Sequence, residues 1–339
     1  MHIPENYLAP ATCAVLTMVM LPVWMQAVKK VKTDLPKEKL PLIGVGAAFT
    51  FLAMMFNVPL PGGTTGHAVG GTLVALLFGP HAACIAISIA LLLQAVIFGD
   101  GGILSFCANC FNMAFVLPYL GFAVYKSILA LTNGGEKPSA HCFAAAIGSY
   151  LGLNAAAFLT AVEFGVQPLL FKDAAGQALY CPYDLSVAIP AMLVPHLLVA
   201  GVVEAVFTVA VLSYVMKTAP SLMYIAVAKS AVYKSLKPIY LLMSALVLLT
   251  PLGLLAEGTA WGEWGTEEIA EVVENGKALG YVPRGLAEGW SFEAFLPDYA
   301  LDGYNEIAMY ILSAVLGVAL LMIIFKLFAY MLNEDAEAC

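Results

Sequence analysis

Apolar runs as long as a lipid bilayer is thick recur along this chain, and they leave few architectures open. A helix needs about 20 apolar residues to cross the hydrocarbon. Backbone groups inside it must pair within helices or a closed barrel. Runs at 8–28, 40–60, 81–98, 105–131, 139–165, 185–216, 238–256 and 304–331 are continuous, without the alternation of barrel strands. A shorter run at 68–79 stops at Gly79-Pro80 and predicts a broken or half-inserted helix. Gly- and Pro-rich joints at 59–63, 99–102 and 133–138 separate others. Only 11% of the 339 residues are charged, against about 25% in soluble domains. The sequence therefore predicts an all-α polytopic membrane protein, with lipid and not nucleic acid around it.

The basic residues give a direction. With the N-terminus outside, twelve of the fifteen Lys and Arg residues fall on the inner side, from Lys29 to Lys326 and including Lys37, Lys229 and Lys234. Only Lys172, Lys277 and Arg284 fall outside. Positive charge favours the cytoplasmic face, so the C-terminus is expected inside. Residues 1–237 read as a seven-helix body. Residues 238–339 read as a helix, an outer segment 257–303 and a final helix. Eleven acidic residues lie between Glu257 and Glu306. They suit either a solvated linker or an external element that helps load cations.

The first run is followed by Lys29, Lys30 and Lys32, the reverse of a signal peptide's charge order. Met1 is therefore expected to remain in the mature protein. That makes Met1-His2 a chelator. The terminal amine, the His2 amide nitrogen and an imidazole nitrogen of His2 close rings of five and six members around one metal. Three nitrogens in a plane suit Ni(II), Cu(II) or low-spin Co(II). A fourth ligand is sought on the same outer side. His67, in the glycine-rich stretch NVPLPGGTTGHAVGG (57–71), is the best source, with Thr65 beside it. Gly62, Gly63, Gly66, Gly70 and Gly71 permit tight turns there.

A second polar cluster contains Gln94, Asp100, Asn109 and Asn112. Polar groups at membrane depth are costly and face a partner. Asp100 reads equally as a turn former and as an acceptor orienting a liganding histidine. His196 and Glu204 are eight residues apart, on one helical face; they read as a functional pair or as buried structural groups. His81 and His141 fall at inner helix ends and read as structural. Of the seven cysteines, Cys107 and Cys110 form a lone C-x-x-C on an apolar run, which suits packing better than zinc. Gly148, Gly152 and Ala156 repeat every four residues, the pattern of close helix contacts. There is no GxxxxGK[ST], HExxH or GxSxG, so nucleotide hydrolysis by the first route is not expected, and the chain is not expected to be an ATPase.

MHIPENYLAPATCA, PGGTTGHAVGG and FGDGG…ANCFNM resemble the cobalt/nickel substrate-binding membrane subunit of energy-coupling-factor (ECF) transporters, the CbiM/NikM family, over about residues 1–225. The resemblance implies a six-helix bundle with one extra N-terminal helix, and metal held by Met1, His2 and His67. It implies import of Co2+ or Ni2+ across a prokaryotic cytoplasmic membrane, for cobalamin synthesis or nickel enzymes. Energy would come from a separate transmembrane coupling protein and cytoplasmic ATPases. LLAEGTAWGEWGTEEI and LPDYALDGYNEIAMYILSAVLG resemble that system's small accessory component, fused here, though the string Pro-Asp-Gly-Leu-Glu is absent. Two other readings remain open. One is a membrane metalloenzyme or redox subunit using His196, Glu204 and Cys107/Cys110. The other is a structural or sensor subunit whose histidines only pack. A planar nitrogen site prefers Ni(II) to high-spin Co(II), with Cu(II) tightest by general affinity order.

Overall fold

A computed structural model describes residues 1–35, 39–132, 137–225, 236–274 and 277–337. Lys37, Lys229, Lys234, Cys339 and residues 133–136 of the third joint lie outside the described residues. Among the described residues, the helices of eight residues or more are, in chain order, α1 (Pro10–Asp34), α2 (Leu40–Met55), α3 (Gly71–Phe78), α4 (Pro80–Phe98), α5 (Phe106–Leu131), α6 (Pro138–Leu170), α7 (Leu185–Thr218), α8 (Lys237–Leu255) and α9 (Glu306–Glu337). Among the described residues, seven of these are long and apolar enough to cross a membrane, α2 and α3 being shorter. The chain is an all-α polytopic membrane protein.

Pro10, Pro80 and Pro138 each open a helix, where a missing N–H costs nothing. Asp184 caps α7 by accepting from the Ser186 and Val187 N–H groups. α2 lies at the centre: every residue but Pro41 is buried. α1 lies at the edge, with Val15, Met18, Leu21 and Met25 exposed, a face suited to lipid. The small-residue stripe of α6 packs on α5 as its spacing predicts. A Cβ at Gly148 would sit 2.5 Å from the Gly121 carbonyl oxygen, and one at Gly152 would sit 2.7 Å from that of Leu117. The last helix docks on the central one. A Cβ at Gly44 would meet Phe325 Cβ at 2.9 Å, and one at Gly317 would meet the Phe51 ring at 2.3 Å.

Two features depart from the predicted elements. The run 40–60 ends as a helix at Met55, because Asn57–Leu60 (β1) turns back and pairs antiparallel with Thr64–His67 (β2). Gly62 and Gly63, at φ 98° and 75°, make the turn, a backbone region glycine enters without strain. The second feature is the π-helical turns Gln94–Phe98, Cys110–Val116 and His196–Ala200, inside α4, α5 and α7. π-turns often mark functional positions, and each of these carries one of the polar residues singled out above: Gln94, Asn112 and His196.

Candidate metal centre

The first residues run into the protein, not away from it. Met1, His2 and Ile3 are all buried, so their backbone groups need partners. Asn109 supplies two: its Oδ1 accepts from the Ile3 N–H at 2.7 Å and its Nδ2 donates to the Ile3 carbonyl at 3.1 Å. The Gly102 N–H and Ser105 hydroxyl donate to the same carbonyl, at 2.9 and 2.6 Å. Glu5 accepts from the Ile103 and Leu104 N–H groups at 2.6 and 3.1 Å. Burial still pushes its carboxyl above the usual range, against the lowering by those bonds. The loop between α4 and α5 thus grips the terminal segment residue by residue. Gly102 has to be glycine, since a Cβ there would lie 2.7 Å from the Glu5 nitrogen.

This grip sets His2 beside His67, ring centroids 5.0 Å apart. Two imidazoles on one metal, each nitrogen about 2.0 Å from it, put their centroids roughly 4 to 6 Å apart. His67 ends β2. Its Nδ1 faces the Ala68 carbonyl oxygen at 3.1 Å; that oxygen only accepts, so Nδ1 carries the hydrogen and Nε2 keeps the lone pair. Burial, then the neighbouring His2 and terminal amine, hold the His67 pKa well below its ordinary value. It is a neutral donor. His2 turns Nδ1 onto Asp100 Oδ1, leaving a buried Nε2 without a hydrogen-bond partner. Burial would raise the Asp100 pKa, but the His2 imidazole and the bonds from His2 and Tyr299 outweigh it and keep the group a carboxylate.

The segment after α8 covers the site. Glu263 Oε1 pairs with the Met1 amine at 3.0 Å. Tyr299 donates to Asp100 Oδ2 at 2.5 Å and accepts from Gln94 at 2.9 Å. A cavity of about 670 Å³ lies between the two parts, lined by His2, Thr65, His67, Asp100, Glu257 and Glu263 among others. Thr65 reaches the Gly258 carbonyl at 3.5 Å.

Of the residues picked from the sequence, Met1, His2, Thr65, His67, Gln94, Asp100 and Asn109 converge here. Asn112 does not: it donates to Glu163 at 2.7 Å, elsewhere in the body. His196 and Glu204 do not pair with each other. His196 Nδ1 donates to the Met192 carbonyl at 2.7 Å. Glu204, wholly buried, accepts from the Val69 N–H at 2.8 Å and the Gly70 N–H at 2.9 Å. It thereby pins the turn that follows His67. Glu204→Ala would orphan both N–H groups, which costs about 2–3 kcal/mol and loosens His67. Thermal melting in detergent reads this; a melt like that of the parent would mean that the two groups find other partners. His81 and His141 contact the Tyr119 and Tyr125 hydroxyls at 2.6 and 2.5 Å. Cys107 and Cys110 are buried free thiols. Among the described residues, no three His, Cys, Asp or Glu side chains are grouped so as to hold a metal.

Glu5, Ser105, Glu263 and Tyr299 escaped the sequence reading. Glu5 sits in the opening motif and its charge beside a buried terminus was a usable signal. Nothing in the sequence pairs Glu263 or Tyr299 with positions about 200 or more residues away.

Residues 2–222 match the family described as cobalt uptake substrate-specific transmembrane region, CbiM, and residues 237–334 match the PDGLE domain. A probable fused nickel transport protein LarMN of Lactiplantibacillus plantarum is 47% identical over 96% of this chain and 97% of its own. A fused nickel transport protein NikMN of Rhodobacter capsulatus is 47% identical over 95% of each chain. A crystal structure of a truncated transition metal transporter superposes with a TM-score of 0.60 at 52% identity, over 64% of this chain and 99% of that one. The chain belongs to the CbiM family and carries a PDGLE domain on the same polypeptide.

Proposed function

We propose that this chain is the metal-capturing membrane component of a nickel or cobalt importer, and that Met1, His2 and His67 hold the cargo ion. The observation that carries this is the burial of the chain terminus beside a neutral His67 whose Nε2 keeps its lone pair. Side chains alone offer too few donors here, so backbone nitrogen must contribute. The amine, the His2 amide and His2 Nδ1 form the five- and six-membered chelate; His67 Nε2 completes the plane. Relatives named for nickel transport support the cargo class.

Each chelating end is occupied by a carboxylate in this structure, the amine by Glu263 and Nδ1 by Asp100. Capture is then an exchange: the ion displaces the ammonium proton and the amide proton, and Nδ1 leaves Asp100. The acid-lined cavity concentrates cations at the mouth. The body 1–237 holds the ion, the part 238–339 closes over it, and the lysine bias puts the terminus outside. A separate coupling protein and cytoplasmic ATPases supply the energy, in a prokaryotic cytoplasmic membrane.

The test is equilibrium binding of Ni2+ to the purified protein between about pH 6 and 8. One ion per chain is expected, with log affinity rising by about two for each pH unit, one for each proton displaced. Binding independent of pH would rule out the amine and amide as ligands.

A further inference from the structure

We infer that a small cavity beside the chain terminus is a site for a soft monovalent cation, Cu(I), held by the thioethers of Met1 and Met192, by His196 Nε2 and by the ring face of Trp261. The inference goes beyond the nickel site. It uses the Met1 side chain and none of the atoms proposed there.

The cavity measures about 10 Å³, room for one water-sized sphere. Four parts of the chain meet around it: the terminus, the hairpin β1–β2, α7 and the segment after α8. Met1 lines it and does not line the larger cavity over His2. Met1, Met192 and His196 are each at most 4% exposed. His196 is the residue that calls for a ligand. Its Nδ1 donates to the Met192 carbonyl one turn back along α7, at 2.7 Å. Nε2, on the far side of the ring, keeps its lone pair and turns away from the helix toward the cavity that the residue lines. It is buried there without a hydrogen-bond partner. Such an atom is costly, and native proteins seldom leave one.

The walls decide what suits it. A buried water needs about two to four polar partners, and few are on offer. The Thr64 hydroxyl oxygen already accepts from the Trp261 N–H at 2.7 Å, and the Thr65 hydroxyl reaches the Gly258 carbonyl at 3.5 Å. A hard cation needs oxygens and meets the same shortage. A soft ion meets two thioethers and an imidazole, and thioethers select Cu(I). The indole is the side-chain ring that attracts cations best. Trp261 packs among Phe164, Tyr183 and Trp264, with ring centroids 6.1, 5.3 and 5.7 Å away. Methionine has three rotatable bonds, so both thioethers can close on an ion without backbone movement.

Ag+ is the probe, since it shares the charge and softness of Cu(I) and is not oxidised in air. The full-length parent, Met192→Leu and His196→Leu, all with native termini, are equilibrated with Ag+ at one buffered free concentration. Cysteine thiols take up Ag+ alike in all three, so the difference reads the cavity. The parent is expected to hold one Ag+ per chain that both variants lose. With isotope-labelled methionine methyl groups, the NMR signal missing from Met192→Leu is expected to shift in the parent when Ag+ is added. Met192→Leu conserves side-chain volume, and a melting temperature near the parent's separates lost binding from lost folding. Both variants are expected to bind Ni2+ like the parent. Equal Ag+ content in all three proteins, or an unmoved Met192 methyl signal, would overturn the inference. Loss of nickel together with silver in both variants would mean one damaged site in place of two, and would overturn it as well.

Discussion

One residue added ahead of Met1 is expected to abolish nickel binding while leaving the protein folded. The addition turns the terminal amine into a peptide amide. That removes a strong donor and breaks the five-membered ring, so the remaining His2 nitrogens lose their shared chelate. A loss of roughly 1000-fold, about 4 kcal/mol at 1.4 per tenfold, is the scale expected. Folding should survive. The new residue can enter the cavity of about 670 Å³ that Glu263 and His2 both line, and the Ile3 backbone keeps its bonds to Asn109, Gly102 and Ser105. Metal content after gel filtration, read beside the melting temperature, decides the matter. An extended protein that still holds one ion per chain would move the ligands elsewhere.

The second large effect concerns His67→Ala. Three in-plane nitrogens would remain, so binding weakens without vanishing. The expected loss exceeds roughly 100-fold, the upper end for residues that merely orient a ligand. Stability should respond in the opposite sense in acid. Burial lowers the folded-state pKa of His67 from 6.5, so below that value the unfolded chain binds more protons than the folded one. Stability is then lost as pH falls from 6.5 toward the depressed folded value. His67→Ala removes this acid penalty, and its metal-free form should lose less stability than the parent over that window. Urea unfolding of both proteins at several pH values checks the sign. An affinity equal to the parent's would remove His67 from the site.

The helices were legible because their apolar runs are long and their ends carry Pro, Gly or Lys. The hairpin was not. Its strands Asn57–Leu60 and Thr64–His67 have four residues each, too few to display a period of two beside so many glycines. At the site, His2 stood out for its place beside the terminal amine and His67 for its glycine-rich surroundings, while Asp100 and Gln94 stood out because polar groups are rare in apolar sequence. Their partners did not. Glu263 is one of eleven acids in a segment of no periodicity, and only the folded chain brings it to Met1. Glu204 was seen but paired with His196 on helical spacing, which the π-turn at His196–Ala200 interrupts. Its true partners are backbone N–H groups, which every non-proline residue has and no sequence distinguishes.

That π-turn has a consequence for inheritance. A π-turn accommodates one residue more than the α-helix around it in nearly the same rotation, so it absorbs that residue without turning the helix beyond it. A single deletion in the regular part of α7 between the π-turn and Glu204 would instead swing everything beyond it by about 100°. That swing would carry Glu204 off the turn that holds His67 and rotate the downstream lipid-facing residues with it. The same arithmetic applies to the helices that hold Gln94–Phe98 and Cys110–Val116. Substitutions along these helices can accumulate one at a time. A change of length in their regular turns cannot, because it moves the site face and the lipid face together. Insertions and deletions in such a lineage should therefore collect in the joints and in those three turns.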